Sequence, residues 1–337
     1  MQIKDIARIA GVAPSTVSRV INNSGYVSAE VRERVERIIT ETGYVPNSVA
    51  KSLKGKKTNV IGFIIPQLSS ESMSKIAEGA SEECEKNNYD ILLANTGLKA
   101  ERELKYLKTL NQRQIDGIIM MSVKLSAEHK KLIDELRIPV VVIGQKQEGL
   151  CCITHDDFRA AYDMTEMLIN KGKRNIAMIN ISLDDDSVRK DRLNGYIKAL
   201  DRHGIAFTSQ LTAFGDFSVS AGHECMKEIW EKSDTKPDAV FCVSDKIAFG
   251  AIQFLKKSGI NCPDQCAVAG IGNNSISEYS VPSITTAEYY HRELGRKAAE
   301  ILFRSVEAGS APQGIHYIDY KIIELSLIHI SEPTRRS

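Results

Sequence analysis

No apolar run long enough to cross a membrane, about 18 residues or more, occurs in the 337-residue chain, which excludes a membrane-spanning helix. The opening "MQIKDIARIAG" is periodic and charged, unlike the unbroken apolar core of a secretory signal, so the protein is expected in the cytoplasm. Cysteine occurs seven times, at 84, 151, 152, 225, 242, 262 and 266, and never as a pair of CxxC motifs. Reduced core thiols are expected, without disulfides or zinc. Catalytic signatures are absent too: there is no GxSxG, no P-loop, no HExxH and no GxGxxG. "GIGNN" at 270–274 lacks the rest of a dinucleotide fingerprint. No enzyme activity, cofactor or metal is expected, and "DDD" at 184–186 reads as a solvated loop.

Net charge is small as well, +1 overall, but unevenly placed. The first 57 residues hold ten Lys or Arg against five Asp or Glu, leaving the rest mildly acidic. A basic head on an acidic body is the asymmetry of a protein that meets a polyanion at one end. Within that head, Ile3, Ile6, Ala7, Ile9 and Ala10 fall on one side of a helix, and Gly11 interrupts it. Val17, Val20 and Ile21 mark a second helix after Pro14. A third runs from a Ser28 cap through Val31, Val35, Ile38 and Ile39 to a stop at Gly43. Three such helices close one small core. Ser15, Thr16, Ser18, Arg19 and Asn22 lie outside the apolar stripe of the second helix. In a major groove they offer base edges hydroxyls and a guanidinium; on a protein surface they are an ordinary solvated face.

Two segments decide between these readings. "IKDIARIAGVAPSTVSRVIN" (3–22) and "VSAEVRERVERIITETGYVPNSVAKSLKGKKTNVIGFIIP" (27–66) resemble the start of the lac-repressor family of bacterial transcription regulators in order and spacing. The resemblance implies that the second helix reads the major groove, with Pro14, Ser15, Thr16 and Arg19 at base edges or nearby phosphates. It implies a hinge helix at "PNSVAKSL" that orders on DNA, with Asn47, Ala50, Leu53 and Lys54 as contacts and Leu53 wedged into the minor groove. One or two helical turns are too short to be stable alone, which suits a segment that folds only on DNA. The sequence departs from the family's usual Ser or Thr caps at Gln2 and Ala13. Ala at a cap costs about 1 kcal/mol, and Pro14 at the first helical position recovers part of it.

From Asn59 onward, apolar β-rich runs ("NVIGFII", "YDILLAN", "IDGIIMM", "PVVVIG", "NIAMINI", "DAVFCVS", "CAVAGIG") alternate with amphipathic helical ones. The alternation predicts parallel strands covered on both faces. The series restarts after about residue 158, so two similar doubly wound lobes are expected. The resemblance adds three chain crossings between them, near 157, 288 and 317. The predicted organisation is a helix-turn-helix head at 1–45, a hinge at 46–58, and a two-lobe α/β body like the periplasmic binding proteins at 59–324. The closing "LSLIHISEPTRRS" (325–337) fits no continuation of that body and resembles a translated sequencing adapter, so it is expected to be non-native.

Ligands of open α/β sheets lie beyond the carboxyl ends of the strands. Polar residues gather there: "PQLSSESM", "GQKQ", "HDD", then Arg192, Phe217, Asp245 and Asn273. Paired planar donors and acceptors with an aromatic plate suit a hydroxyl-rich ligand. Asp245 capping the helix "KIAFGAIQFL" and Phe217 in the core are the competing structural roles. The resemblance maps Arg192, Phe217, Asp245 and Asn273 onto effector-binding positions, adds Ser70 and Ser72 from the first lobe, and offers Gln145, Tyr289 and His291 as further lining. "GQKQEGLCCITHDDFRAAYDMTEMLINKGKRNIAMI" (144–179) is similar to disaccharide-responsive members. The partners implied are double-stranded operator DNA, a sugar, disaccharide or sugar phosphate, and a second copy of the chain. A solute-binding protein without a DNA role and a sugar-processing enzyme are the alternatives; the basic head argues against the first, and the missing acid–base pair against the second.

Overall fold

The structure, a computed structural model, describes residues 1–44, 57–183, 185–310 and 312–326. Two compact units divide at Thr58 and Asn59.

The smaller unit holds α1 (Ile3–Ala10), α2 (Pro14–Ile21) and α3 (Ala29–Thr42). Ile6, Ala7, Ala10, Val17, Val20, Val35 and Ile38 form its core, and fully burying one Val or Ile side chain stabilises by about 1.5–3 kcal/mol. Ile9, expected on the apolar side of α1, is instead 53 % exposed; three helices of this length enclose one narrow stripe. Gly11 ends α1 with φ +64°, a left-handed conformation that glycine adopts without strain, and its N–H bonds to Arg8. That turn lets α2 begin only three residues later. The Gln2 N–H donates to Asp5 Oδ2 at 2.8 Å, so α1 has an acidic first-turn partner in place of the hydroxyl cap.

The larger unit contains two six-stranded sheets of the same order. In the first lobe the strands run β2 (Asp90–Asn95), β1 (Val60–Ile65), β3 (Gly117–Met121), β4 (Val140–Ile143), β5 (Cys151–His155) and β11 (Gly314–Ile318), all parallel. In the second lobe they run β7 (Thr212–Gly215), β6 (Ile176–Ile181), β8 (Ala239–Cys242), β9 (Ala267–Ile271), β10 (Thr285–Tyr289) and β12 (Tyr320–Ile323), the last antiparallel. Helices cover both faces, which is why the central strands are apolar throughout.

The chain leaves the first sheet after His155, returns after Tyr289 and crosses again at Asp319 between β11 and β12. The helix His291–Ala308 packs its Leu294, Ala298 and Leu302 into the first lobe's core beside Ile76 and Ala80. Each lobe is therefore built from both halves of the chain. All seven cysteines are free; six are buried and Cys262 is half-buried.

Candidate functional site

Two surfaces carry the residues singled out in the sequence. On α2, Val17 and Val20 are buried, while Pro14, Ser15, Arg19 and Asn22 are exposed and Thr16 and Ser18 half-buried. Ala13 caps α2 without a side-chain hydrogen bond, and Pro14 occupies the first helical position. Asn22 Nδ2 donates to the Ser18 carbonyl at 2.7 Å and lies 3.2 Å from Ser18 Oγ. The Arg19 stem passes Gly25, Cδ standing 3.6 Å from where a Cβ would sit there. These side chains face solvent on a folded helix. Asn47, Ala50, Leu53 and Lys54 lie outside the described residues.

The second surface is the junction of the two lobes, where carboxyl ends of strands from both sheets meet. Arg192 begins the helix Arg192–Arg202 and is buried. Its Nε and Nη2 donate to Asp157 Oδ1 at 2.7 and 2.6 Å, and Nη1 donates to the Val243 carbonyl. Burial opposes the charge on Arg192, but Asp157 outweighs it and raises the guanidinium further above its ordinary range. The Tyr289 hydroxyl donates to the same Asp157 oxygen at 2.9 Å, and Arg192 stacks over the Tyr289 ring. Asp157 is the organising residue. The sequence offered one signal for it, its place just after a strand in "HDD".

Asp245 is fully buried. Its Oδ1 accepts from Thr286 Oγ1 at 2.6 Å and its Oδ2 from the Asn274 N–H at 2.9 Å. Gly270 on β9 makes this possible, since a Cβ there would stand 2.5 Å from Asp245 Oδ1. Ser244, rather than Asp245, caps the helix Asp245–Lys257, accepting from Ile247 N. Burial pushes the Asp245 carboxyl up to about 6.

Contacts across the junction come in two groups. In one, Gln145, held within its own lobe by the Val123 carbonyl at 2.7 Å, donates Nε2 to Asp185 Oδ1 at 3.4 Å. Ser187 Oγ donates to the Gly144 carbonyl at 2.7 Å, and Lys146 pairs with Asp191 at 2.5 Å. In the other, Ser275 donates to Glu71 through N–H and Oγ, Ser72 Oγ reaches Asn274 Oδ1 at 3.5 Å, and Lys75 Nζ reaches the Asn273 carbonyl at 3.5 Å. Asn273 Nδ2 also donates to Glu288 at 3.2 Å.

Within the acidic run, Asp185 departs from the expected solvated loop. Asp185 is 8 % exposed, its carboxyl accepts from the Val188 N–H at 2.7 Å, and it opens a turn of π-helix at Asp186–Asp191. Burial pushes it up to about 6. A carboxylate beside a lobe junction is desolvated by the other lobe, which no local sequence window registers.

Gln145, Arg192, Asp245, Asn273, Tyr289, His291 and Ser72 are thus brought to the junction. Ser70 precedes the helix Glu71–Lys86, capping it with its carbonyl and not its hydroxyl. Phe217 is half-buried against the second lobe's core, nearer its structural role than that of a free plate. His155, the first residue of "HDD", stacks on Tyr289 with ring centroids 4.1 Å apart and meets His291 edge-on at 5.5 Å. Burial first, then Arg192, hold His155 at about 3; burial and then His155 do the same to His291. Both imidazoles are neutral at physiological pH.

Residues 2–47 match the model of bacterial regulatory proteins of the lacI family, and residues 58–324 match that of periplasmic binding proteins and the sugar-binding domain of the LacI family. The chain belongs to the LacI family. It is a DNA-binding transcription regulator with a helix-turn-helix head and a two-lobe body. Among its relatives, the HTH-type transcriptional regulator RegA of Clostridium acetobutylicum is 35 % identical, covering 96 % of this chain and 97 % of its own length. The sucrose operon repressor of Staphylococcus xylosus is 32 % identical, covering 90 % and 93 %. In fold, the regulator is similar to the lac repressor dimer bound to operator and the anti-inducer ONPF, with TM-score 0.87, 23 % identity and coverage of 97 % and 98 %.

Proposed function

We propose that this regulator is a cytoplasmic homodimeric repressor of carbohydrate-utilisation genes, without catalytic activity, whose operator affinity is set by a sugar-class ligand at the lobe junction. The observation that carries the reading is the junction itself. Gln145, Arg192, Asp245, Asn273, Tyr289 and His291 converge there from both lobes, at the carboxyl ends of the sheets, where open α/β folds take ligands. The sucrose operon repressor among the relatives supports the class.

On this reading α2 docks in the major groove through Pro14, Ser15, Thr16, Ser18, Arg19 and Asn22. The hinge residues Asn47, Ala50, Leu53 and Lys54 order against the minor groove. The cross-lobe contacts Glu71–Ser275, Lys146–Asp191 and Ser187–Gly144 are the two-state element: a ligand that rearranges them shifts the lobes, and through the hinge the head. A change in DNA affinity of about tenfold to a hundredfold needs only about 1–3 kcal/mol of coupling, and DNA must change ligand affinity by the same factor. Ligand binding releases the operator in this scheme.

The test is binding of the purified protein to a palindromic fragment from its own upstream region at fixed salt, with and without mono- and disaccharides and their phosphates. Tight binding that one sugar weakens is the expected result. Sugar binding with no DNA affinity under any condition overturns the repressor reading, and unchanged DNA affinity with every compound overturns the effector reading.

A further inference from the structure

Within the first lobe a serine, a histidine and a carboxylate stand within reach of one another. Ser126 caps the helix Ala127–Glu135 and is exposed. Its Oγ lies 2.9 Å from Nδ1 of His129, whose ring is 1 % exposed. On the far side of that ring, Nε2 stands 3.2 Å from Oε2 of Glu103, a residue from the first turn of the helix Ala100–Gln112 and equally buried. Ser122, just after β3, donates its Oγ to the same carboxylate oxygen at 2.7 Å and so fixes it.

The donors around the ring assign its proton. The Ser126 N–H donates to His129 Nδ1 at 3.3 Å, so Nδ1 is the acceptor of the neutral imidazole and the proton sits on Nε2, toward Glu103. That N–H is not aligned for a hydrogen bond with Oε2, as acid–base contacts often are not before a reactant arrives. The Ser126 hydroxyl is left to donate to a buried base that a carboxylate backs. Capping alone does not call for this: it needs only the His129 N–H donating to Ser126 Oγ, at 3.3 Å, and a buried carboxylate behind the ring adds a desolvation cost.

Two neighbouring features complete the arrangement. Ala127 and Glu128 open the helix, where backbone N–H groups have no partner within it. They follow Ser126 directly, as oxyanion donors follow a nucleophile that opens a helix. A groove of about 520 Å³ lies along the same helix, lined by Ala127, Lys130, Lys131 and Gln147 among others, with room for an acyl group.

We propose that Ser126 is an acyl-accepting modification site, taking its acyl group from an activated ester or thioester. Ser126 Oγ attacks the acyl carbon while its proton passes to His129 Nδ1. Glu103 stabilises the imidazolium, and the Ala127 and Glu128 N–H groups stabilise the oxyanion. Collapse breaks the bond from the acyl carbon to the leaving oxygen or sulfur, which departs with the proton from Nδ1. Ser126 ends as an ester and the donor as a free alcohol or thiol. His129 is the base and Glu103 a positioning residue. One transfer per chain requires no turnover, and the site does not depend on the effector reading above.

Incubation of the full-length protein with p-nitrophenyl acetate, followed by peptide mapping, tests it. The expected result is an acetyl group on Ser126 that hydroxylamine removes, as it does from an ester and not from a lysine amide. Ser126→Asn abolishes this labelling while keeping a capping side chain. His129→Gln, which retains a capping-box residue at that position, slows it about a hundredfold or more. Glu103→Gln lowers the limiting rate about tenfold or more and leaves the half-saturating probe concentration unchanged, whereas a merely structural role would move both or neither. Acetylation of the parent protein confined to lysines overturns the proposal whatever the variants do, and so does an unchanged rate in His129→Gln.

Discussion

The polar residues of α2 and those of the lobe junction are similar in type and opposite in condition. On α2 the side chains of Ser15, Arg19 and Asn22 are exposed, and Asn22 bonds its own helix neighbour Ser18. At the junction Arg192, Asp157, Asp245 and Gln145 are buried and bonded across long sequence separations, Arg192 to Asp157, Asp245 to Thr286 and Gln145 to Asp185. A helix that reads a groove needs donors already facing outward, because phosphates and base edges come to it from solvent. A junction that senses a ligand instead holds its groups in an internal network. The ligand must exchange partners with that network, and this exchange is what links binding to shape.

The largest effect expected from breaking this contrast is at the buried pair. Arg192→Ala leaves Asp157 charged and desolvated, and should destabilise the body by about 3–5 kcal/mol, seen in urea unfolding. Arg19→Ala, by contrast, should leave unfolding of the body unchanged, weaken operator binding by about 1–3 kcal/mol and reduce its salt slope.

Titration sharpens the same comparison. His155 and His291 are held near 3 in the folded protein, below the ordinary 6.5, so they withdraw stability as pH falls below about 6.5. Asp185 and Asp245 are raised from 3.8 to about 6, so their contribution is present at low pH and lost as pH rises through about 6. Between about pH 4 and 6 the two effects oppose. Asp245→Asn removes one of the two raised carboxyls, and its stability should then rise with pH across that window by up to about 1.4 kcal/mol per unit more than the parent's. Parallel pH profiles of the two proteins would contradict the assignment. The smallest effect belongs to the head: Ala13→Ser supplies the missing cap of α2 and should stabilise it by about 1 kcal/mol, read from the head's helical signal on heating.

Much of the architecture was legible because it is local. The spacing of Ile6, Val17, Val20, Val35 and Ile38 is periodic within each helix, and all five are buried. The apolar runs of β1, β3, β4, β6, β8 and β9 announced parallel strands because both faces of each are covered. β11 and β12 were not singled out: short, half-exposed and carrying His316, Tyr317 and Lys321, they acquire their strand identity from β5 and β10. Asp185 was read as solvated, and for Phe217 a plate and a core role were both open; the sequence could not settle either for one reason. Burial at the junction depends on the opposite lobe or on a core assembled from distant segments.

By itself, then, the sequence determined the three head helices with their Gly11 turn, the βα alternation and the two lobes, which follow from periodicity and short-range order, while the regulator family came from the resemblance of residues 3–22 and 27–66. Only the tertiary structure decided that Arg192 is held by Asp157, that Asp245 rests against Gly270, and that His155 stacks on Tyr289 and meets His291 edge-on. Such relations join residues distant in sequence, 132 positions apart for Asp157 and Tyr289. Desolvation and hydrogen bonding act on distance in space, which chain order does not record.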